Sequence, residues 1–92
     1  MINKILWTKN AIADFKISQR INPQVNEKTK EIIGYLTNNK PPYKAFHAER
    51  LGSNAKYANC WSMHLSHKHR IVFAYENDTI TILLAYTHYG DH

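Results

Sequence analysis

The sequence predicts an α+β domain: a leading strand, then two helices packed on one face of an antiparallel sheet that ends in a three-stranded meander. Three features carry that expectation. Apolar side chains recur at helical spacing between Val25 and Leu36, and three β-prone runs separated by turn signals begin at Cys60. The chain has only 92 residues, enough for one core and not for two. Residues 1–92 therefore read as a single domain.

Ile2 to Trp7 is apolar and β-prone and reads as the first strand. Thr8 offers an N-cap hydroxyl to a helix from Lys9 to Arg20, whose apolar positions Ala11, Ile12 and Phe15 form one narrow stripe. Asn22-Pro23 starts the second helix with a capping side chain and a proline whose missing N–H costs nothing there. Val25, Thr29, Ile32, Ile33 and Leu36 then fall at the spacing of a single buried face, until Asn38-Asn39 and Pro41-Pro42 end the helix. Residues 39–59 lack sustained periodicity and read as a long loop, which in so small a domain usually works at a site. Cys60 to Leu65, Arg70 to Tyr75 and Thr79 to Tyr86 follow as strands, the last two joined by a tight turn at Asn77-Asp78. Trp61, Met63 and Leu65 alternate with Ser62 and His64, so that strand is half buried, whereas the other two are apolar on both parities.

The composition excludes several classes. With 43% apolar and 21% charged residues, the chain is neither disordered nor low in complexity. Its longest apolar runs, Ile71 to Tyr75 and Ile82 to Tyr86, are far too short to span a bilayer, so no membrane partner is expected. The opening Met1 to Trp7 has no secretory pattern, and the lone Cys60 allows no internal disulfide, so a soluble cytoplasmic domain is expected. The net charge is +5, and all of that excess lies between residues 40 and 70, where Lys40, Lys44, Arg50, Lys56, Lys68 and Arg70 face only Glu49. Four of the six histidines, His47, His64, His67 and His69, share that window. Such a concentrated field attracts a polyanion, in a binding mode that weakens with salt. The second face of the sheet, rimmed by this loop, is where RNA would lie.

Cleaving RNA without a metal requires a base for the 2′-OH, a cation for the phosphorane and an acid for the leaving oxygen. Glu49, Arg70 and His88 supply those three types. Each also has a duller role open to it: an ion pair with Arg50, a strand-flanking stem, a solvated residue near the end of the sequence. Tyr89 suits either a satellite core contact or a base-stacking platform. His64, His67 and His69 have no cysteine pair or acidic ligand beside them, so no metal or other cofactor is expected. Cys60 with His64 lacks the orienting acid and oxyanion hole of a nucleophilic pair, and the three glycines form no phosphate-cradling loop.

Glu49-Arg50-Leu51, a small-residue loop, Trp61-Ser62, His69-Arg70-Ile71-Val72-Phe73 and His88-Tyr89 together resemble the Txe/YoeB family of toxins, within the RelE superfamily. The likeness covers residues 44 to 89 closely and the N-terminal half as an order of elements. It implies a RelE-like fold and the toxin of a type II toxin–antitoxin pair: a ribosome-dependent, metal-independent endoribonuclease that cuts mRNA in the A site and stops translation. By position, Glu49 resembles the general base, Arg70 the transition-state stabiliser, His88 the general acid and Tyr89 a substrate-orienting residue. Arg50, Lys44, Lys56, His64 and Lys68 are then expected to contact substrate or rRNA phosphates. A YefM-like antitoxin is the implied partner, beside mRNA and the ribosome, and homodimers are common in the family.

The sequence departs from the family pattern in three places. Met63-His64 stands where a basic pair usually follows Trp-Ser, the loop before Trp61 is slightly long, and Gly90-Asp91-His92 extends past His-Tyr. Two other functions use the same scaffold or charge: a superfamily relative that poisons DNA gyrase, and a non-catalytic RNA-binding module. Neither would need both Glu49 and His88.

Overall fold

The computed structural model of the chain describes residues 2–52 and 59–87. Its elements run β1 (Lys4–Trp7), α1 (Lys9–Ile21), α2 (Pro23–Thr37), β2 (Glu49–Leu51), β3 (Cys60–His64), β4 (Arg70–Glu76) and β5 (Thr79–Thr87). The five strands form one sheet in the order β1-β5-β4-β3-β2. The predicted meander is β3-β4-β5, antiparallel throughout. Its last turn places Asn77 and Asp78 at φ 53° and 59°, the left-handed conformation that two-residue hairpins demand and that Asn and Asp tolerate.

Two expectations about the sheet are corrected. β1 pairs in parallel with β5, Lys4 opposite Thr79 through Trp7 opposite Ile82, so the sheet is mixed rather than antiparallel. The region expected as one loop from 39 to 59 contains β2, antiparallel to β3, with Glu49 opposite Ser62 and Leu51 opposite Cys60. Three residues are too few to show a period, and only pairing defines this strand.

Local sequence sets the helix ends. Thr8 Oγ1 accepts the N–H of Ala11 at 3.1 Å, and the hydroxyl donates toward the carbonyls of Ile82 and Leu83 at 3.1 and 3.0 Å. One side chain therefore caps α1 and fixes it to β5. Asn22 Oδ1 accepts the N–H of Val25 at 3.4 Å, and Pro23 occupies the first turn of α2. The α2 stripe is as expected: Val25, Thr29, Ile32 and Leu36 are buried, and Ile33 is half-buried. They meet Met63, Leu65, Ile71, Phe73, Ile80, Ile82 and Ala85 from one face of the sheet. The α1 stripe differs. Ala11 is buried, but Ile12 remains 43% exposed and Ser18 takes the inner position. There the Asn26 amide, itself buried, donates to Ser18 Oγ and to the Phe15 carbonyl, both at 3.2 Å. A satisfied polar pin thus joins the two helices at positions that the apolar stripes do not mark.

β5 carries two irregularities against β4, in the stretches Arg70–Val72 and Val72–Phe73. Phe73 faces Ile82 while Val72 faces Leu84, so Leu83 is the extra residue of a bulge. The resulting turn of the strand sends Leu83 and Leu84 to the second face and returns Ala85 to the core. Asp14 of α1 caps the irregular stretch, its Oδ2 accepting the Ala85 N–H at 3.0 Å. The second face is not bare: Leu51, Cys60 and Val72 are buried there, with Ala74, Leu83 and Leu84 packed against them. This cluster explains why β4 and β5 read as apolar on both parities. Among the described residues no helix is long and apolar enough to cross a membrane.

Candidate functional site

The second face collects the polar residues. Strand side chains alternate between faces, and the register places Glu49 opposite Ser62 and His64 opposite Arg70, with Arg70 in turn opposite Thr87. Glu49, Ser62, His64 and Arg70 therefore share one side of the sheet, on three adjacent strands beside the small apolar cluster. Glu49 is exposed, and among the described residues its carboxylate meets no hydrogen-bond donor, so the ion pair with Arg50 does not form. Arg50 lies opposite Trp61, whose ring packs on the helix-side core. Arg50 thus lies on the opposite side of β2 from Glu49.

Arg70 is held by the turn that precedes it. Its Nη1 donates to the carbonyls of Ser66 and His67 at 3.1 Å and of His69 at 3.2 Å. Ser66 shapes that turn by accepting the backbone N–H groups of Lys68 and His69 at 3.2 and 3.1 Å, and its Oγ lies 3.0 Å from His69 Nδ1. Among the described residues Nη2 and Nε of Arg70 meet no acceptor. A guanidinium anchored on one nitrogen presents its remaining donors in a fixed direction, as recognition of an oxyanion requires.

No local pattern of residues announces what lies next to His64. Ala45 to Ala48 form a turn closed by the Ala48 N–H on the Ala45 carbonyl at 3.1 Å, with Phe46 and His47 at φ 57° and 53°. The His64 N–H donates to the Phe46 carbonyl at 2.8 Å, binding this turn to β3. His47 is thereby brought over His64, ring centroids 4.6 Å apart and tilted by 35°. Burial, then the positive charges of Arg70 and His47, hold the His64 imidazole below its ordinary titration range. Glu49 pulls the other way and His67 adds to the lowering.

The His47–His64 pair borders a basin of about 700 Å³ whose other charged or titratable lining comes from Lys28, Lys44 and His67. Lys44, expected at the substrate, is therefore beside His64. Lys28 is partly engaged, 3.1 Å from Glu31 and over the Phe46 ring. Lys68 sits at the exposed tip of the β3–β4 turn, bordering a second hollow of about 510 Å³ on the helix side, with His69 stacked on Tyr86 at 4.2 Å. Met63, standing where the family carries a basic residue, turns inward and is buried in the helix-side core. Lys56, His88 and Tyr89 lie outside the described residues. Among the described residues no group of three His, Cys, Asp or Glu side chains is arranged to hold a metal ion. Burial raises the titration point of the Cys60 thiol, which makes it a poor nucleophile.

These features define a small basic α+β protein that presents an acid, a guanidinium and paired imidazoles on one sheet face, beside a cationic basin. Residues 7–89 match the model of the YoeB-like toxins of bacterial type II toxin–antitoxin systems. The chain belongs to that family. Solved structures agree on the fold. The YoeB dimer of Staphylococcus aureus superposes with a TM-score of 0.81 at 24% identity, over 94% of this chain and 97% of that one. A YoeB/ParE toxin from Agrobacterium tumefaciens gives 0.79 at 23%, over 94% and 99%. YafQ of E. coli strain BL21(DE3) gives 0.74 at 17%, over 90% of each chain. No curated protein matches by sequence.

Proposed function

We propose that this toxin is an endoribonuclease that cuts mRNA in the ribosomal A site by general acid–base chemistry. One observation carries the reading: Glu49 and Arg70 share a sheet face across β2, β3 and β4, and β5 brings Thr87, which His88 follows in sequence, opposite Arg70. In this mechanism Glu49 takes the proton from the 2′-OH and the oxygen attacks the adjacent phosphorus. Arg70 stabilises the phosphorane through the donors not tied to the turn. His88 protonates the departing 5′ oxygen, leaving a cyclic phosphate. Tyr89 orients or stacks on a base, and Lys44, Lys56, His64 and Lys68 take phosphates of mRNA or rRNA. Cleavage depends on the ribosome to seat the mRNA against these groups.

A small acidic antitoxin of the YefM type is the proposed partner, with homodimers as a second assembly. Relatives support both: a heterotetrameric YoeB–YefM complex and a YoeB dimer from Staphylococcus aureus, and a DinJ–YafQ complex from E. coli. The cytoplasm, where mRNA and ribosomes are found, is the proposed compartment.

The test compares wild type, Glu49→Gln and His88→Ala on translating ribosomes and on free RNA. Loss of an acid or base should lower the cleavage rate by about 10²–10⁴-fold. Equal cleavage of free RNA and ribosome-bound mRNA rejects the ribosome dependence. Growth arrest undiminished by either substitution rejects the nuclease and points to gyrase or to simple RNA binding.

A further inference from the structure

Resting on the RNA-cleaving reading, we infer that His47 and His64 form a proton-gated clamp for an RNA phosphate beside the reacting face. A histidine at position 64, opposite Arg70, makes positive charge there conditional on pH. With the ring centroids 4.6 Å apart, a charge on one imidazole is felt by the other. A second proton is opposed by the first, by Arg70 across the strand pair and by His67, Lys44 and Lys28 around the basin, while Glu49 alone favours it. A phosphodiester in the basin reverses that balance. Binding then takes up a proton, and by linkage affinity rises as the pH falls.

The backbone supplies an independent reason to treat this pair as a built feature. Phe46 and His47 both sit in the left-handed region, where residues with large side chains are strained and Asn-Gly would be the ordinary choice. Such strain persists only where the surroundings enforce it, and it collects at functional sites. Here the Phe46 ring is fixed edge-on to Tyr35 at 5.5 Å, and the Phe46 carbonyl is tied to His64. The turn is anchored by Phe46 and delivers His47. The charged lining of the basin, Lys28 and Lys44 beside the imidazoles, includes no carboxylate among the described residues, so it suits an anion, and RNA is the anion that the proposed reaction brings to this face.

The experiment measures binding of a 2′-O-methylated single-stranded RNA, which cannot be cleaved, between about pH 5.5 and 8.5. Calorimetry in buffers of different ionisation enthalpy counts the protons taken up. Wild type should bind roughly tenfold tighter per pH unit near pH 6 and level off above pH 8, with about one proton absorbed per RNA. His64→Arg should bind at the high level throughout, with no pH dependence. His64→Gln and His47→Gly should bind weakly and with little slope, the glycine retaining the left-handed turn. A wild-type affinity that does not change with pH, or a slope that survives when His64→Gln and His47→Gly are combined in one variant, overturns the clamp while leaving the nuclease reading intact. No binding of RNA at any pH overturns the clamp, and the nuclease reading is then decided by cleavage on translating ribosomes. A poly-glutamate peptide bound with the expected slope while RNA shows none would reassign the basin to an acidic protein.

Discussion

Asp14 joins α1 to the irregular stretch of β5, and its loss tests how the strand end is held. The Ala85 N–H is turned out of the ordinary ladder, and residue 85 is fully buried, so no solvent replaces the Asp14 carboxylate that accepts it at 3.0 Å. A hydrogen bond to a charged acceptor contributes about 1.5–3 kcal/mol, and leaving the donor unpaired in the interior places Asp14→Ala toward the upper part of that range. For a domain of this size each kcal/mol lowers the melting temperature by roughly 4–8 °C. Asp14→Asn keeps an oxygen at the same reach and should recover at least half of the loss. Thermal and urea melts followed by circular dichroism would measure all three proteins. On the proposed mechanism the alanine variant should also cleave more slowly at temperatures where it is still folded, because the strand end that it loosens, Ala85 to Thr87, immediately precedes His88 in sequence. An Asp14→Ala protein within about 0.5 kcal/mol of wild type would refute the view that this contact fixes the strand end.

Other expectations follow from the packing and the charges. Ile32→Ala, at a fully buried position of α2, should cost about 2–5 kcal/mol in a urea titration; no loss would contradict the helix-on-sheet core. Tyr43→Phe removes a buried hydroxyl that has no hydrogen-bond partner among the described residues, so stability should hold or rise by about 1 kcal/mol, and a clear loss would show that the oxygen is satisfied. His47→Gly relieves a left-handed histidine at φ 53° and should leave melting unchanged or raise stability by up to about 1 kcal/mol, even though RNA binding falls. Because His64 titrates below its ordinary range in the folded protein, the unfolded chain binds the extra proton first. Its contribution to stability is therefore complete above the unfolded value and is lost as the pH falls through the folded one. Urea midpoints should drop from about pH 7.5 to 5.5, and by less in His64→Gln.

The elements that were legible in the sequence are those whose burial repeats over several turns or strand residues. α2 carries its face over eleven positions, and β3 to β5 alternate or stay apolar for five or more. β2 has three residues, and the parallel partner of β1 is a long-range choice that no local period encodes. Ile12 was misplaced for a related reason: periodicity marks a stripe but does not reveal that Ser18 and Asn26 satisfy each other between the helices. In the site, Glu49 and Arg70 were recognisable as chemical types in a basic window, and their shared face followed once the register was known. His47 gave no such signal. A left-handed pair is normally announced by Gly or Asn, and Phe46-His47 contains neither.

The apolar cluster under the second face bears on how little charge this site needs. Leu51, Cys60 and Val72 are almost fully buried beside Ser62, in the same sheet rows as Glu49, His64 and Arg70. An acid and a guanidinium at the rim of such a floor lose part of their solvent on that side, which strengthens their interaction with any ligand laid across it. The same geometry raises the penalty for unmatched positive charge. A permanent cation at position 64 would add to Arg70 whether or not an anion is present, whereas an imidazole opposite Arg70 and close to His47 is held below its ordinary titration range when the face is empty. The two arrangements predict opposite costs. His64→Arg should bind RNA more tightly at neutral pH and yet be less stable without it, and a variant that gained both affinity and stability would show that repulsion at this rim is negligible.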